Sequence, residues 1–569
     1  MDTLRPFRKV LAANRGEIAI RVFRACTELG MKTVAIYSHE DLLAIHRYKA
    51  DEAFLIGTPG DPIGAYLDAE AIIQLALRRG VDAIHPGYGF LSENAAFARR
   101  CAEAGITFIG PDPSVLEMMG DKISARRVAV EAGVPVVPGT ADPIDDVAAA
   151  EAFAAEAGYP IILKAAFGGG GRGMRIVREV GELPEAFARA TSEARAAFGD
   201  GALFCEKLVE DAKHIEVQIL ADAHGSCVHL FERDCSVQRR HQKVIEVAPA
   251  VSLGDSVRQA LYDAALRLAQ ACGYVNAGTV EFLVEPDGTF YFIEVNPRLQ
   301  VEHTVTETIT GRDLVQAQIR IAEGRRLSDP LIGIANQAVV TRQGYAIQSR
   351  VTTEDPEAGF VPDTGKITAY RSAAGFGIRL DASTGGAGTL ITSDYDSLLV
   401  KLTAWALTFE AAAAKAMRSL REFRIRGVET NIQFLENAVA HPTFLAGQAT
   451  TRFVDQTPEL LQFRPRRDRA TKLLRALAGS IVNGPPGVEH ALTRPEPLFP
   501  PVVPAFEPHT RPADSTPMAV FRAEGAEGLS RWLRAAPRVW LTDTTFRDAH
   551  QSLLATRVRT ADLLAIAPA

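Results

Sequence analysis

The stretch GTVEFLVEPDGTFYFIEVNPRLQVEHTVTE, residues 278–307, decides the fold of the centre of the chain. Two apolar segments rich in Val, Ile, Phe and Tyr, 280–285 and 290–296, flank a Pro-Asp-Gly sequence. Pro-Asp-Gly is turn chemistry, and β-branched and aromatic residues favour strands. The stretch therefore predicts a β-hairpin followed by a polar segment.

The turn of this hairpin determines which residues of the two strands face each other. A loop closing on Asp287 and Gly288, or a four-residue loop over 286–289, sets Glu281 directly opposite Glu294. Proline cannot donate the closing hydrogen bond of the two-residue loop, which favours the four-residue loop. A three-residue loop would shift the register by one and place the two acids on opposite faces.

Facing carboxylates at this register need a compensating charge. Two carboxylates about 5 Å apart repel by about 3 kcal/mol at an effective dielectric constant of about 20. Side chains two apart share a strand face, so Asn296 lies beside Glu294, and oxygen ligands from Glu281, Glu294 and Asn296 suit Mg²⁺ or Mn²⁺. The alternative is a solvated sheet face, and four polar residues that follow the hairpin argue against it: Arg298, Gln300, Glu302 and His303.

Length and composition predict a large globular protein. The 569 residues suffice for about three or four domains, and 47% hydrophobic and 23% charged residues are ordinary for a globular chain. The net charge of −7 argues against nucleic acid as a partner. With no membrane-spanning apolar run and no signal peptide, no membrane partner is expected. The six cysteines show no CxxC spacing, which fits a reducing compartment: a bacterial cytoplasm or an organellar matrix.

The first segments have the pattern of a parallel α/β domain. Residues 8–13 predict a buried strand, 18–29 a helix and 33–37 a second strand. The loop HPGYGFLSEN, residues 85–94, follows another strand, where open α/β sheets place ligands. A structural turn capped by Ser92 is the competing interpretation.

A glycine-rich loop follows a further predicted strand, 161–164. In GGGGRGM, residues 168–174, five glycines in the first six positions let backbone N–H groups wrap a phosphate chain. The loop lacks the GK[ST] ending of a P-loop, and no helix pattern follows, so P-loop and Rossmann interpretations fail. A flexible hairpin is the alternative, and Lys164 directly before the loop favours a nucleotide site.

Two further segments carry cations. The segment ERDCSVQRRHQK, residues 232–243, is too polar for a core and concentrates positive charge, as an anion site would; a solvated loop is the alternative. Residues 345–351 predict a strand that carries Arg350. Nearer the C-terminus, the proline-dense region 494–517 predicts a linker, and 539–559 predicts the start of a strand-to-helix unit.

These motifs together resemble the biotin carboxylases, members of the ATP-grasp fold. The resemblance rests on ILK before GGGGRGM, on ERDCSVQRRHQK and on FIEVNPRLQVEHTVTE, with NRGEIA, HPGYGFLSEN and GDK, and it runs from about residue 7 to 453. TTEDP, residues 352–356, together with Gln348 in place of the Glu found in many biotin carboxylases, is similar to the pyruvate carboxylase branch. DRATKLLRALAGSIVNG, residues 468–484, and TDTTFRDAHQSLLATRVRT, residues 542–560, resemble the allosteric segment and the start of the carboxyltransferase barrel of that branch.

The resemblance implies an α/β fold, α+β overall. Its expected domains are an N-terminal parallel α/β domain (1–121), an ATP-grasp domain (122–334) with a lid at about 140–210, a β-rich C-terminal biotin carboxylase domain (335–455), an allosteric segment with a proline-rich linker (456–535), and the start of a carboxyltransferase domain (536–569).

The reaction implied is ATP + bicarbonate + biotin → ADP + phosphate + carboxybiotin, the first half-reaction of pyruvate carboxylase, which makes oxaloacetate from pyruvate. The chain has no AMKM biotin-attachment sequence and no His-x-His motif of the barrel. Biotin carrier and carboxyltransferase domains are therefore expected elsewhere, and a dimer of this piece or a tetramer at full length is expected. The alternatives are a subunit of an acyl-CoA carboxylase, a non-biotin ATP-grasp ligase and a non-catalytic assembly or allosteric fragment.

The resemblance also implies roles for individual residues. ATP would be bound by Lys122, Lys164, Gly168, Gly169, Gly170, Gly171, Gly173, Met174, Glu206, Lys207, His214, Gln238 and His241. The metal ligands would be Glu281, Glu294 and Asn296. Bicarbonate and biotin would be held by Lys243, Arg298, Gln300, Val301, Glu302 and Arg350, with Glu302 as general base and Arg350 stabilising the biotin anion. The allosteric activator acetyl-CoA would contact Arg424, Arg426 and Arg469; solvated arginines are the alternative there.

Overall fold

The computed structural model describes residues 4–140, 142–165, 174–198, 201–383, 386–463, 469–483, 503, 505, 516–548 and 560–567. The chain divides into two units, Met1–Phe463 and Arg464–Ala569. Within the described residues, no helix combines the length and the apolar character needed to cross a membrane.

The first unit begins with a five-stranded parallel sheet in the order β3-β2-β1-β4-β5. Its strands are β1 (Lys9–Ala12), β2 (Lys32–Tyr37), β3 (Glu52–Leu55), β4 (Ala83–His85) and β5 (Thr107–Phe108). The helices around it are α1 (Gly16–Glu28), α2 (Pro62–Leu67), α3 (Ala69–Arg78), α4 (Ala95–Glu103), α5 (Pro113–Gly120) and α6 (Lys122–Glu131), with a 3₁₀ turn at Ile45–Lys49. The predicted parallel α/β start is confirmed.

The loop 85–94 lies where this sheet reverses its strand order, between β1 and β4. The Asn14 side chain, just after β1, donates to the carbonyls of Pro86 at 2.7 Å and Tyr88 at 2.8 Å. Such switch points are where open α/β sheets bind ligands. The structure therefore agrees with the placement predicted for this loop.

A small antiparallel sheet in the order β7-β6-β8 follows. Its elements are α7 (Val147–Ala157), β6 (Ile161–Ala165), β7 (Met174–Val177), a 3₁₀ turn at Val180–Glu182, α8 (Leu183–Phe198) and β8 (Leu203–Lys207). One core of buried residues, including Leu163, Phe187 and Leu203, holds the sheet against its two helices. The glycines 168–171 and 173, proposed to close over phosphates, lie outside the described residues, as does the side chain of Met174.

The centre of the unit is an antiparallel sheet of eight strands in the order β13-β12-β9-β10-β11-β14-β21-β19. The segments before residue 345 are β9 (Lys213–Ala221), β10 (Cys227–Arg239), β11 (Gln242–Ala248), α9 (Asp255–Ala271), β12 (Asn276–Val284), β13 (Phe290–Asn296), α10 (His303–Thr310), α11 (Leu314–Ala322) and a 3₁₀ turn at Gln337–Val339. The segment 232–243 is thus mostly a hairpin of this sheet, so its interpretation as a solvated loop is wrong.

The chain re-enters the same sheet after residue 345. The strands of this part are β14 (Tyr345–Thr352), β15 (Glu354–Asp355), β16 (Val361–Pro362), β17 (Gly365–Lys366), β18 (Ala369–Arg371), β19 (Ile378–Ala382), β20 (Leu390–Ile391), β21 (Leu398–Ala406) and β22 (Arg424–Arg426). The helices are α12 (Phe409–Glu422), α13 (Ile432–Ala440), α14 (Pro442–Leu445) and α15 (Phe453–Gln456), with a 3₁₀ turn at Pro458–Leu461. Three two-stranded ribbons, β15–β16, β17–β20 and β18–β22, complete the unit.

The hairpin of β12 and β13 closes through a shorter loop than predicted. Val284 pairs with Phe290, and Glu285 N–H donates to the Thr289 carbonyl at 2.8 Å, which leaves a three-residue loop, 286–288. Gly288, with φ of +91°, takes the left-handed position that such a loop requires. The preference for a four-residue loop is therefore wrong.

The register of the two acids is nevertheless confirmed, because a β-bulge restores it. The pairing shifts between Glu281 and Phe282: Phe282 faces Phe292, whereas Glu281 faces Glu294. Ile293 is the extra residue, and its side chain is exposed. The bulge offsets the one-residue shift of the short loop, so both acids stay on one face.

The second unit is helical where it is described. Its helices are α16 (Arg469–Asn483), α17 (Pro517–Ala535), α18 (Thr545–Asp548) and α19 (Thr560–Ile566). The strand predicted to begin at 539 is wrong: residues 539–544 have no regular secondary structure. Val539 and Leu541 are 86% and 91% exposed, and within the described part of this unit no strand is available to pair with them.

A buried carboxylate joins the N-terminal helix to the central sheet. Glu307 in α10 accepts from Arg21 of α1 at 2.8 Å, from Arg379 of β19 at 2.6 Å and from the backbone N–H of Leu314 at 2.8 Å. Burial raises the pKa of Glu307, but Arg21 and Arg379 outweigh burial, and the pKa lies below its ordinary value.

We expect E307Q to lower the melting temperature at pH 7, since removing one partner of a buried ion pair costs about 3–5 kcal/mol. A depressed carboxyl pKa contributes stability above the ordinary value of 4.5, and that stability is lost as pH falls through the folded-state pKa. The difference in melting temperature between wild type and E307Q should therefore narrow below about pH 4.5. E103Q, in an exposed pair with Arg100, is the control and should change little at any pH. A difference that stays constant with pH would contradict the role of Glu307.

Candidate active site

A row of charged side chains crosses one face of the central sheet. Glu294 of β13 faces Glu281 of β12, Glu281 faces Glu216 of β9, and Glu216 faces Arg233 of β10. Directly paired residues project to the same side. Glu216 and Arg233 are 0% exposed and Glu281 is 4% exposed, so the interpretation as a solvated sheet face is wrong.

Arg233 closes one end of this row. Its guanidinium contacts Glu216 and donates to Gln218 at 2.7 Å, to Thr306 at 2.9 Å and to Thr279 at 3.0 Å. A buried cation is tolerated when it is paired and its donors are used. Arg233 is therefore a structural support beneath the row, held by residues of strands β9 and β12 and of helix α10.

Lys243 of β11 links the row to Glu302. Its ammonium contacts three buried carboxylates: Glu216 at 2.5 Å, Glu281 at 2.7 Å and Glu302 at 2.7 Å. Burial lowers the pKa of Lys243, but the three carboxylates outweigh burial and hold it well above its ordinary value. One cation thus contacts three anions, of which Glu216 is also paired with Arg233.

Glu302 stands between two cations at the start of α10. Besides Lys243, its other oxygen contacts Arg350 of β14 at 3.1 Å. Burial and Glu216 raise the pKa of Glu302, whereas Lys243, Arg350 and Arg233 lower it below its ordinary value. Glu302 is therefore ionised at neutral pH and can accept a proton from a group bound beside it.

Arg350 is itself oriented by a second carboxylate. Glu246 of β11 accepts from Arg350 Nε at 2.5 Å and from Gln348 Nε2 at 2.8 Å, and Gln348 in turn accepts from Thr304. The guanidinium is thus held by Glu246 at Nε and by Glu302 at Nη2. This places a fixed positive charge beside the carboxylate expected to act as a base.

The three predicted metal ligands lie together. Asn296 Nδ2 donates to Glu281 at 2.9 Å and to Glu294 at 3.5 Å. Burial and the charge of Glu281 raise the pKa of Glu294 above its ordinary value. Two facing carboxylates beside an amide suit Mg²⁺ or Mn²⁺, and the Asn296 amide would have to rotate so that its oxygen, which now accepts from Arg298 at 2.9 Å, replaces the nitrogen.

His214 and Gln238 extend this group across the sheet. His214 Nε2 lies 2.8 Å from Glu281, and Gln238 Nε2 lies 2.7 Å from His214 Nδ1. His214, Glu216 and Glu281 offer atoms that all lie within 4.8 Å of one another. Both predicted nucleotide residues therefore border the predicted metal ligands.

The turn 297–302 carries the residues predicted to hold bicarbonate. Arg298 Nε pairs with Glu93 of the loop 85–94 at 2.6 Å, and Gln300 donates to Glu281 at 3.0 Å. The carbonyl of Val301 accepts from the ammonium of Lys401 at 3.1 Å. The turn thus joins the switch-point loop of the first sheet to the row of charges on the central sheet.

The remaining nucleotide candidates are distributed more widely. Lys164 forms an ion pair with Glu206 within the small sheet, and Lys207 donates to the carbonyls of Gly158 and Tyr159 at 3.0 and 2.9 Å. Lys122, the first residue of α6, acts electrostatically on Glu294. His241 is exposed at the tight turn between β10 and β11, where its φ is +63°.

The three predicted allosteric arginines belong to different units. Arg424 and Arg426 lie on β22, which pairs with β18 in the first unit. Arg469 is the first residue of α16 in the second unit, and its side chain lies outside the described residues. Their predicted common role stays a prediction.

Known protein families match three consecutive segments of the chain. Residues 6–116 match the N-terminal domain of biotin carboxylase, and 348–456 match its C-terminal domain. Residues 121–329 match the ATP-binding domain of the carbamoyl-phosphate synthase L chain.

Solved structures agree with these matches. The chain covers the whole of the biotin carboxylase domain of Hydrogenobacter thermophilus 2-oxoglutarate carboxylase, with 47% identity, a TM-score of 0.75 and 81% of this chain aligned. The chain belongs to the biotin carboxylase family. The predicted ATP-grasp fold is confirmed.

Curated relatives of this biotin carboxylase chain are longer proteins. The pyruvate carboxylase of Bacillus subtilis is 58% identical over 98% of this chain, which is 48% of that protein. The Rhizobium etli pyruvate carboxylase structure with acetyl coenzyme-A is 51% identical over 99% of this chain and 52% of that chain, with a TM-score of 0.78. The chain therefore spans about half the length of the pyruvate carboxylases that it matches.

Sequence reasoning missed several residues of the biotin carboxylase site. Glu216 bridges Arg233 and Lys243, and Glu246 orients Arg350. The signal for Glu216 was the alternation of HIEVQIL, which places it on the same strand face as His214 and Gln218. Glu246 carried no such signal, because its contact with Arg350 depends on the pairing of β11 with β14.

We expect K243M to lower the free energy of unfolding at pH 7 by about 3–5 kcal/mol, because it leaves three buried carboxylates without their shared cation. Without Lys243 the folded-state pKa values of these carboxylates rise, so the variant loses stability as pH increases above about 4.5. The deficit measured by urea denaturation should therefore be larger at pH 7 than at pH 5. K366M, which removes an exposed lysine of β17, is the control. Equal deficits at both pH values would contradict this account.

Proposed function

We propose that the chain catalyses the ATP- and bicarbonate-dependent carboxylation of biotin, the first half-reaction of pyruvate carboxylase. The observation that carries the proposal is the position of Glu302, ionised and held between Lys243 and Arg350 at 2.7 and 3.1 Å. A carboxylate fixed between two cations can take a proton from an anionic substrate that the same cations attract.

We assign bicarbonate to the space beside the turn 297–302. Arg298 suits a planar oxyanion because its guanidinium offers a rigid fork of donors. Lys243 would add a second positive contact, and Gln300 and Val301 would complete the turn. Glu302 would remove the bicarbonate proton as the anion attacks the γ-phosphate, giving carboxyphosphate and ADP.

We assign ATP to residues of the small sheet and of the charged row on the central sheet. Lys122 and Lys164 would neutralise phosphate charge, the glycines 168–171 and 173 would close over the phosphates, and Glu206, His214 and Gln238 would hold adenine and ribose. Met174, Lys207 and His241 remain further proposed contacts. Bound Mg²⁺ or Mn²⁺ would neutralise the β- and γ-phosphates, held by Glu281, Glu294 and Asn296. The Hydrogenobacter thermophilus biotin carboxylase domain, solved with MgADP, ADP and bicarbonate, supports this ligand set.

Biotin would react next to Arg350. Carboxyphosphate would break down to CO₂ and phosphate, and the phosphate would remove the N1′ proton of biotin. The resulting biotin anion carries charge on its ureido oxygen, and a fixed guanidinium stabilises such a charge without reorganisation. Carboxybiotin forms when the N1′ electron pair attacks CO₂.

We also propose the wider assembly. The domain boundaries at 121/122, 334/335, 455/456 and 535/536 are retained, although the central sheet crosses the second boundary through β14, β19 and β21. The carrier and carboxyltransferase functions would belong to further domains such as those of the longer relatives. Pairing as a dimer is supported by the dimeric Hydrogenobacter thermophilus domain, and acetyl-CoA activation by the Rhizobium etli enzyme; a tetramer would form at full length.

Six unpaired cysteines support a reducing location, a bacterial cytoplasm or an organellar matrix.

We expect E302Q to reduce bicarbonate-dependent ATP cleavage by about 100-fold or more, because general-base catalysis contributes at least that factor. MgADP affinity measured by calorimetry should stay close to wild type. E70Q, an exposed glutamate of α3, is the control and should keep wild-type turnover. ATP cleavage by the wild type that ignores bicarbonate would overturn the proposed function.

We expect R350A to separate biotin from bicarbonate chemistry. The variant should lose the stimulation of ATP cleavage by free biotin, a change of about 100-fold for loss of one preorganised donor. Slow bicarbonate-dependent cleavage without biotin should remain. If wild type and R350A turn over equally and neither responds to biotin, the alternative of a non-biotin ligase is favoured instead.

A further inference from the structure

A buried lysine outside the proposed substrate contacts touches the backbone of the site. Lys401 lies on β21 and is 0% exposed. Its ammonium lies 3.1 Å from the carbonyl oxygen of Val301 and 3.0 Å from Glu17 Oε2. Glu17, in the first turn of α1, also accepts a hydrogen bond from the hydroxyl of Tyr88.

The carbonyl that Lys401 contacts belongs to the peptide unit joining Val301 to Glu302. A peptide unit is planar, so holding its oxygen fixes the orientation from which Glu302 begins. The side chain of Glu302 is held separately, by Arg350 and Lys243. Lys401 therefore restrains the backbone at Glu302, while Arg350 and Lys243 restrain the Glu302 carboxylate.

The two restraints come from neighbouring strands. Arg350 of β14 pairs directly with Lys401 of β21, so both side chains project from the same face of the sheet. Asp381 of β19 is the next residue in this row, and it is bound by Arg379 at 2.7 Å. Glu17 is thus the carboxylate in direct contact with the Lys401 ammonium, as a buried charge requires.

We propose that Lys401 and Glu17 are positioning residues that hold the turn 297–302 in the geometry that accepts bicarbonate. The inference rests on the proposed function, since bicarbonate is the ligand assigned to this turn. Through Glu17, helix α1 would then help to fix the turn 297–302 beside the central sheet. Neither residue touches a reacting atom in this assignment.

The test uses the full chain with free biotin, and it measures ATP cleavage as a function of bicarbonate concentration. We expect K401M to raise the KM for bicarbonate at least tenfold, with the dissociation constant for MgADP within twofold of wild type. E17Q should raise the same KM by a smaller factor, because Lys401 stays in place without its counter-charge.

The double variant E17Q/K401M distinguishes positioning from stability. Removing one partner leaves an unpaired buried charge, whereas removing both leaves none, so the double variant should recover melting temperature relative to K401M. Its KM for bicarbonate should stay raised, because the contact with the Val301 carbonyl is still absent. Recovery of both quantities together would show a purely structural role and overturn the inference.

A matched control exists in the same sheet. Lys213 of β9 bridges Asp234 at 2.8 Å and the carbonyl of Ala449 at 3.0 Å, the same two kinds of contact away from the turn. K213M should change melting temperature but leave the KM for bicarbonate at the wild-type value. If the wild type depends on bicarbonate but K401M and E17Q both keep the wild-type KM for bicarbonate, the inference is wrong and the proposed function still stands. A wild type that ignores bicarbonate would instead remove the proposed function and the inference with it.

Discussion

The contact of one ammonium, that of Lys243, with three buried carboxylates is the constraint on which the central sheet depends. Glu216, Glu281 and Glu302 come from two strands and the start of a helix, and without a shared cation their charges would force them apart. Charges removed from water persist only when they are paired and hydrogen-bonded. The charged residues that make the sheet difficult to bury therefore include those that we propose to hold the metal ion and bicarbonate.

Much of this arrangement could be predicted, because strand alternation and strong motifs are local. The parallel start and the hairpin within 278–307 follow from apolar periodicity and turn chemistry, whereas the facing of Glu281 with Glu294 was predicted from a loop length that the structure does not have. The length of the loop could not be predicted, since a bulge at Ile293 substitutes for a residue of the loop and carries no local signal. Glu246 was missed for a related reason, because its partner Arg350 comes from a strand about a hundred residues further along the chain.

The parallel sheet and the central sheet of the first unit contribute unequal parts of the site. The central sheet supplies the fixed row of charges, while the first sheet reaches the turn 297–302 through Glu93 on Arg298 and through Glu17 on Lys401. Glu307 adds a third link, between α1 and β19. A movement of α1 relative to the central sheet would therefore disturb the turn 297–302 as well as the core. The geometry of the candidate site thus depends on the packing of the parallel sheet and its helices against the central sheet.

The bulge at Ile293 has a consequence for how related chains are compared. The short loop removes one residue from the turn, and the bulge returns one residue to the strand, so the number of residues between Glu281 and Glu294 is the same as in a hairpin with a four-residue loop and no bulge. A homologue could exchange one geometry for the other without any insertion or deletion. An alignment of such homologues would show no gap, and the two acids would face each other in both.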